Sequence, residues 1–124
     1  MSTISRFPNT PSADNTDRIR TNEYLTPAYA ATIALNPSKS KTLVNFAALT
    51  GALTVTIGVG TSSTAPFVGD VVIMMFTAAA DRIVTFTTGV LSTGTLTVLA
   101  GKTANMQFMF NGAAWCETDR TVTA

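Results

Sequence analysis

From Tyr29 onward the chain is a succession of short Val, Ile, Leu, Phe and Thr runs, spaced about ten residues apart and separated by Gly, Pro, Asn and Asp. This texture constrains the fold more than any other feature, because closely spaced β-runs with turn residues between them leave no room for helices of useful length. Tyr29, Ala31, Ile33 and Leu35 alternate with smaller residues before Asn36-Pro37-Ser38 turns the chain. Lys41 to Phe46 reads as a second strand, and Leu53-Thr54-Val55-Thr56-Ile57 as a half-buried one with strict alternation. Val71 to Phe76, VVIMMF, is a continuous apolar run and reads as a strand covered on both faces. Strands are further expected at Ile83 to Thr87, Thr95 to Leu99, Met106 to Phe110 and Trp115 to Thr118. Asn111-Gly112, where both residues tolerate positive φ, is the strongest hairpin signal. The only helix-forming run, Thr77 to Ala80, is too short to hold a helix.

Residues 1–28 differ in texture. They are rich in Asn, Ser, Thr and Asp, are broken by Pro8, Pro11 and Pro27, and place their large apolar groups without period. Such a segment buries too little surface to order itself. It is expected to be an extended N-terminal docking arm, with residues 29–124 forming the β-domain. Arg6, Phe7, Arg18, Ile19, Arg20, Tyr24 and Leu25 are the candidate contacts with a partner. The arginines suit directional pairing, and the spaced apolar groups suit isolated pockets. The opening stretch has no apolar h-region of the secretory kind, so synthesis in a reducing cytoplasm with a free Cys116 is expected.

One internal echo links Thr50-Gly51-Ala52-Leu53-Thr54-Val55 to Thr93-Gly94-Thr95-Leu96-Thr97-Val98. Phe67-Val68-Gly69 and Phe110-Asn111-Gly112 share the same offset of 43 residues. Two matching halves would suit a two-sheet sandwich. A turn entering a strand in a chain with 23 Thr produces the same pattern without any repeat.

The chemistry of catalysis is hard to find. There is no histidine, and the lone cysteine permits neither an internal disulfide nor a Cys/His zinc site. Asp70 and Asp81 read as turn residues, although a carboxylate pair for glycoside hydrolysis is the sharper alternative. Glu117 and Asp119 alternate on the last strand and could hold a hard cation, or could guard a sheet edge against aggregation. Gly58-Val59-Gly60 lacks the third glycine and the helix of a nucleotide site. Trp115 with Tyr24 and Tyr29 could stack on a sugar, but one Trp and seven Phe are also what fills a sandwich core. No enzymatic activity, no cofactor and no metal are expected. A net charge of +1 argues against a nucleic-acid protein, and no run approaches the length of a membrane helix.

Low charge is the positive clue. Between residues 42 and 119 the formal charges are Asp70, Asp81, Arg82, Lys102, Glu117 and Asp119. A small free-standing domain needs a more charged surface. If VVIMMF is apolar on both faces, its second face needs a cover, and another copy of the chain is the simplest one. Val71, Ile73, Met74, Met75 and Phe76 are therefore the expected oligomer interface.

Three stretches together resemble a known family. They are Leu25-Thr26-Pro27 entering the first strand, Pro66-Phe67-Val68-Gly69-Asp70 before a hydrophobic strand, and the succession from Asp81 through Gly89 and Ser92 to Val98 ending in Phe108 to Trp115. The chain resembles the small trimeric β-modules of tailed-bacteriophage virions, namely head fibres, capsid decoration proteins and fibre-base domains, including those of crAss-like phages. The resemblance implies an all-β fold, a jelly-roll-like antiparallel β-sandwich of about eight strands preceded by an extended N-terminal arm. It also implies a homotrimer located in the virion and docked on capsid or fibre components. It carries over no catalytic residue. A carbohydrate-binding module or adhesin domain is the alternative, for which an exposed Trp115 would be the mark.

Overall fold

The computed structural model describes residues 22–59, 65–87 and 89–122. They form ten strands: β1 (Asn22–Leu25), β2 (Thr32–Leu35), β3 (Lys41–Asn45), β4 (Leu53–Ile57), β5 (Val71–Thr77), β6 (Arg82–Phe86), β7 (Val90–Leu91), β8 (Leu96–Val98), β9 (Thr103–Phe110) and β10 (Trp115–Val122). Each of the eight expected runs is a strand. The two additions, β1 and β7, are short and pair at the edges of a sheet, where four and two residues carry too little periodicity to stand out.

The strands make a six-stranded sheet in the order β1-β3-β5-β9-β10-β7 and a four-stranded sheet in the order β2-β4-β6-β8. From β1 to β9 the chain alternates strictly between the two, so that it winds like a coil with one strand per sheet in each turn. This corrects the antiparallel jelly-roll-like expectation. Five of the eight pairings (β1–β3, β3–β5, β2–β4, β4–β6 and β7–β10) are parallel. Parallel neighbours need a long crossover, commonly a helix. Here the crossover is a strand of the opposite sheet. Period-2 alternation reports which side of a strand is buried and says nothing of its direction, so the sequence pattern could not distinguish the two arrangements.

Every long strand buries one face. The core between the sheets holds Ile33, Leu35, Val44, Leu53, Val55, Ile57, Val72, Met74, Phe76, Val84, Leu96, Val98, Met106, Phe108 and Trp115, among others. Phe46 stacks on Phe76 with ring centroids 4.7 Å apart, and Phe86 tilts against Phe108 at 5.2 Å. The buried Thr42 hydroxyl donates to Glu23 Oε1 at 3.1 Å, and the same oxygen accepts the Ser38 amide at 3.0 Å. Glu23 thus fixes β1 to the start of β3. Residues 22–28, expected in the arm, lie against the β-domain: Leu25 packs on the core, and the Pro27 carbonyl accepts the Ala47 amide at 3.1 Å.

Two turns show local chemistry at work. Phe67-Val68-Gly69-Asp70 closes through the Asp70 amide on the Phe67 carbonyl at 2.9 Å, with φ of 96° at Gly69, the conformation a type II turn demands of its third residue. The Asn111-Gly112 signal does mark the β9–β10 hairpin, but with a four-residue loop. Asn111 Oδ1 accepts the amides of Ala113 and Ala114 at 2.9 and 2.8 Å, and this side-chain turn replaces the two-residue type I′ geometry. The echoed Phe67-Val68-Gly69 and Phe110-Asn111-Gly112 lie side by side, joined by the Gly69 amide on the Phe110 carbonyl at 2.9 Å.

The run Val71 to Phe76 has two unequal faces. Val72, Met74 and Phe76 are inside with no exposure, whereas Val71 and Ile73 are half-buried and Met75 is 39% exposed, all facing outward. Placing Asp at Met74 is expected to cost at least about 4 kcal/mol by leaving an unpaired charge in the core. Placing it at Met75 is expected to cost the dilute protein no more than about 1 kcal/mol. Urea unfolding at low concentration measures both; equal losses would show that the strand's facing is misassigned.

Candidate functional site

The sheets differ on their outer sides. On the four-stranded sheet the outward positions are Thr32 and Ala34 on β2, Thr54 and Thr56 on β4, Ile83 and Thr85 on β6, and Thr97 on β8. Thr32 pairs with Thr54 and Thr54 with Thr85, a row of hydroxyls that water can solvate without any charge.

The outer side of the six-stranded sheet is apolar across its centre. The registers Val71↔Met109, Met109↔Cys116 and Cys116↔Leu91 align four such side chains in one row over β5, β9, β10 and β7. The next row holds Tyr24, Leu43 and Ile73, then Gln107 and Asp119. Met75 lies in a third row between Asn45 and Asn105. Leu91 is 58% exposed, Tyr24 62% and Met109 40%. The most exposed large apolar side chains, Phe67 and Val68, sit in the turn leading into β5, next to the row that Val71 begins.

Of the residues expected at an oligomer interface, Met74 and Phe76 fill the chain's own core, because alternation sends every second residue of a strand inward whatever its neighbours are. The outward Val71, Ile73 and Met75 do share a face, joined by Leu43, Met109, Cys116 and Leu91. Those four were legible once phase is considered: Met109 stands in the polar phase of Asn105 and Gln107. Of the expected docking residues, Tyr24 joins this face and Leu25 turns inward, while Arg6, Phe7, Arg18, Ile19 and Arg20 lie outside the described residues.

Other sequence candidates resolve into structural roles. Trp115 has no exposure; its Nε1 donates to the Gly58 carbonyl at 3.1 Å, and its ring tilts against Phe110. Tyr29 donates its hydroxyl to the Ala52 carbonyl at 2.7 Å. The buried Trp115 ring is therefore not free to stack on a sugar. Asp70 accepts the Phe67 amide at 2.9 Å within its own turn, and Asp81, ahead of β6, accepts the Ala100 amide at 2.8 Å in the β8–β9 turn, so each carboxylate is engaged in holding a turn. A β-bulge between Glu117 and Asp119 turns the first inward and the second outward, so they do not share a face. No group of three His, Cys, Asp or Glu side chains converges among the described residues. A shallow cleft of about 390 Å³ opens where β1 and β2 form the free edges, lined by Leu25, Ile33 and Leu35. The Glu23 oxygens that border it are already engaged by Ser38 and Thr42.

At the opposite edge Glu117 and Arg120 form a two-pronged ion pair, Nε to Oε2 at 2.7 Å and Nη2 to Oε1 at 2.8 Å. Glu117 also accepts the Thr93 amide at 2.9 Å, and Arg120 donates to the carbonyls of Thr95 and Gly94 at 2.8 and 3.1 Å. The pair therefore clasps the segment entering β8, in one sheet, to β10, in the other.

No family model and no curated protein matches the chain. Among solved structures, a chain in a structure of a chaperone-substrate complex is similar, with a TM-score of 0.53 and 18% identity, over 81% of this chain and 17% of that one. At this identity the likeness is one of fold.

The Arg120 guanidinium, with the Thr93 amide assisting, holds the Glu117 carboxyl below its ordinary pKa against the opposing effect of burial. A depressed folded-state pKa means that the clasp stabilises fully above the unfolded value of roughly 4.3 and loses this contribution as pH falls through the folded one. Glu117→Gln is expected to destabilise by about 1–3 kcal/mol at pH 7, by leaving Arg120 without its charged partner. The gap to wild type should narrow at pH 3. A gap independent of pH in thermal melts would deny the ion pair this role.

Proposed function

We propose that the chain is a structural component of a tailed-bacteriophage virion: a homotrimeric head-fibre, capsid-decoration or fibre-anchoring protein, docked on capsid or fibre components through its N-terminal arm. The observation that carries this reading is the outward apolar face of the six-stranded sheet on a domain with very few charges. Apolar patches of this extent mark interaction surfaces. Beside it stands the sequence resemblance, whose quoted stretches form the β5 turn, the β6 and β8 strands and the β9–β10 hairpin. Among the candidate carboxylates, Asp70 and Asp81 are committed to backbone amides and Glu117 to an ion pair, which favours the structural reading over a catalytic one. The carbohydrate-binding alternative loses its main platform with the burial of Trp115.

The full-length protein is expected to run in solution at about three times its 13.0 kDa mass. Phe7→Ala combined with Ile19→Ala should leave that mass unchanged and abolish incorporation into particles, read as copies per particle by quantitative mass spectrometry. Normal occupancy of the double variant would remove the arm from the docking role. A stable monomer of wild type at all concentrations would remove the trimer.

A further inference from the structure

Resting on that oligomeric reading, we infer that the outer side of the six-stranded sheet is the surface on which copies of the chain meet, with the β3 flank of one copy against the β10 flank of the next, Lys41 of the first pairing with Asp119 of the second.

Three observations select a second copy as the occupant. The first is extent. The strands of this sheet, from two to eight residues long, at about 4.8 Å spacing and about 3.4 Å per residue, give a face of the order of 550 Å². Each copy in a ring would bury it against its two neighbours together, about two-thirds of the roughly 800 Å² that a partner contributes to a standard stable interface. The second is composition: Val71, Ile73, Leu43, Met109 and Cys116 occupy the centre beside Gln107, with Asn22, Asn45, Asn105 and Thr121 around them, the largely apolar core and polar rim of an association surface.

The third is the placement of charge. Among the outward positions of the described strands in this sheet, the charged side chains are Lys41 on β3 and Asp119 on β10. Each lies one strand in from an edge, on opposite sides of the midline between β5 and β9. Lys41 shares the row of Val71, and Asp119 the row of Ile73 and Gln107, so their levels along the strands differ by one row. One row is about 6.7 Å, within reach of a lysine side chain. A rotation axis running along the strands in front of that midline carries the β3 flank of each copy to the β10 flank of its neighbour, and so sets Lys41 near the neighbour's opposite charge. A two-fold axis across the strands would stack Lys41 on Lys41 and Asp119 on Asp119. The face is thus complementary to itself in one orientation and repulsive in the other, which is how charge fixes register at an apolar contact. Three copies about a lengthwise axis satisfy every such pair in a closed ring.

The test uses full-length protein and sedimentation equilibrium, with circular dichroism as the check on folding. Lys41→Asp and Asp119→Lys are each expected to weaken association at least tenfold, and the two together to restore it. Ile83→Glu, on the outer side of the other sheet, is expected to leave it unchanged. If wild type associates and neither single swap weakens it, or if Ile83→Glu dissociates it instead, the assigned face is wrong although the oligomer stands. If wild type does not associate, the oligomeric reading itself fails. A second measurement needs no substitution: alkylation of Cys116 by a thiol reagent should slow at least tenfold as protein concentration rises through the association range. A rate that does not change while the mass does would place Cys116, and the face around it, outside the contact.

Discussion

A winding chain with one strand per turn in each sheet can be stable only if every strand turns the same kind of side chain toward the space between the sheets. That requirement governs this protein. Parallel neighbours such as β3 and β5 come together only after the chain has crossed to the other sheet and back, so each ladder depends on the crossover strand being seated. The inward Val44 and Val72 of one sheet and the inward Val55 of the other are consecutive contributions to a single core. No turn of the coil buries its apolar face alone, as in repeat architectures. The antiparallel β9–β10 hairpin ends the winding, with β9 pairing against β5 and β10 reaching the last edge strand. Trp115 stands at this closure, where its indole nitrogen reaches the residue that follows β4 in the opposite sheet.

The clasp of Glu117 and Arg120 belongs to the same logic. The β8 strand has only three residues and pairs on one side, with β6. Its ladder alone is short, and the segment before it carries carbonyls and an amide that need partners. One arginine and one glutamate satisfy the Thr93 amide and the Gly94 and Thr95 carbonyls at once, while neutralising each other. An ion pair with the glutamate side chain only 8% exposed is stabilising when its remaining hydrogen-bonding capacity is met in this way.

Much of this architecture was legible in the sequence, and the part that was not has a physical cause. Alternation in Leu53 to Ile57 and Met106 to Phe110 located strands and named their inward residues, because the pleat enforces a period of two. Direction escaped, because a parallel and an antiparallel ladder bury the same alternate residues. The run Val71 to Phe76 was ambiguous for a related reason: six consecutive apolar residues do not say which alternate set, Val72, Met74 and Phe76 or Val71, Ile73 and Met75, enters the chain's own core. Asp119 and Glu117 looked equivalent two residues apart until the bulge at Thr118 shifted the phase between them, and no residue in Glu117-Thr118-Asp119 announces a bulge. Hydrogen-bonding roles such as those of Asn111 and Asp70 were partly visible, since both residue types close turns through their own side chains.

The contrast between the two outer surfaces then becomes informative. Both belong to one chain, one composition and one scarcity of charge. On the four-stranded sheet scarcity is met with threonine, whose methyl favours the strand and whose hydroxyl satisfies water. On the six-stranded sheet the same outward phase carries Leu43, Ile73, Met109 and Leu91, although threonine would serve solubility and strand propensity equally well. Propensity therefore does not account for the difference, and neither does the core, which these side chains do not enter. On the proposed association of copies, these side chains make the contact. The two charges on that face sit at mirrored strands, where in such an assembly they would discriminate between ways of placing one copy against another.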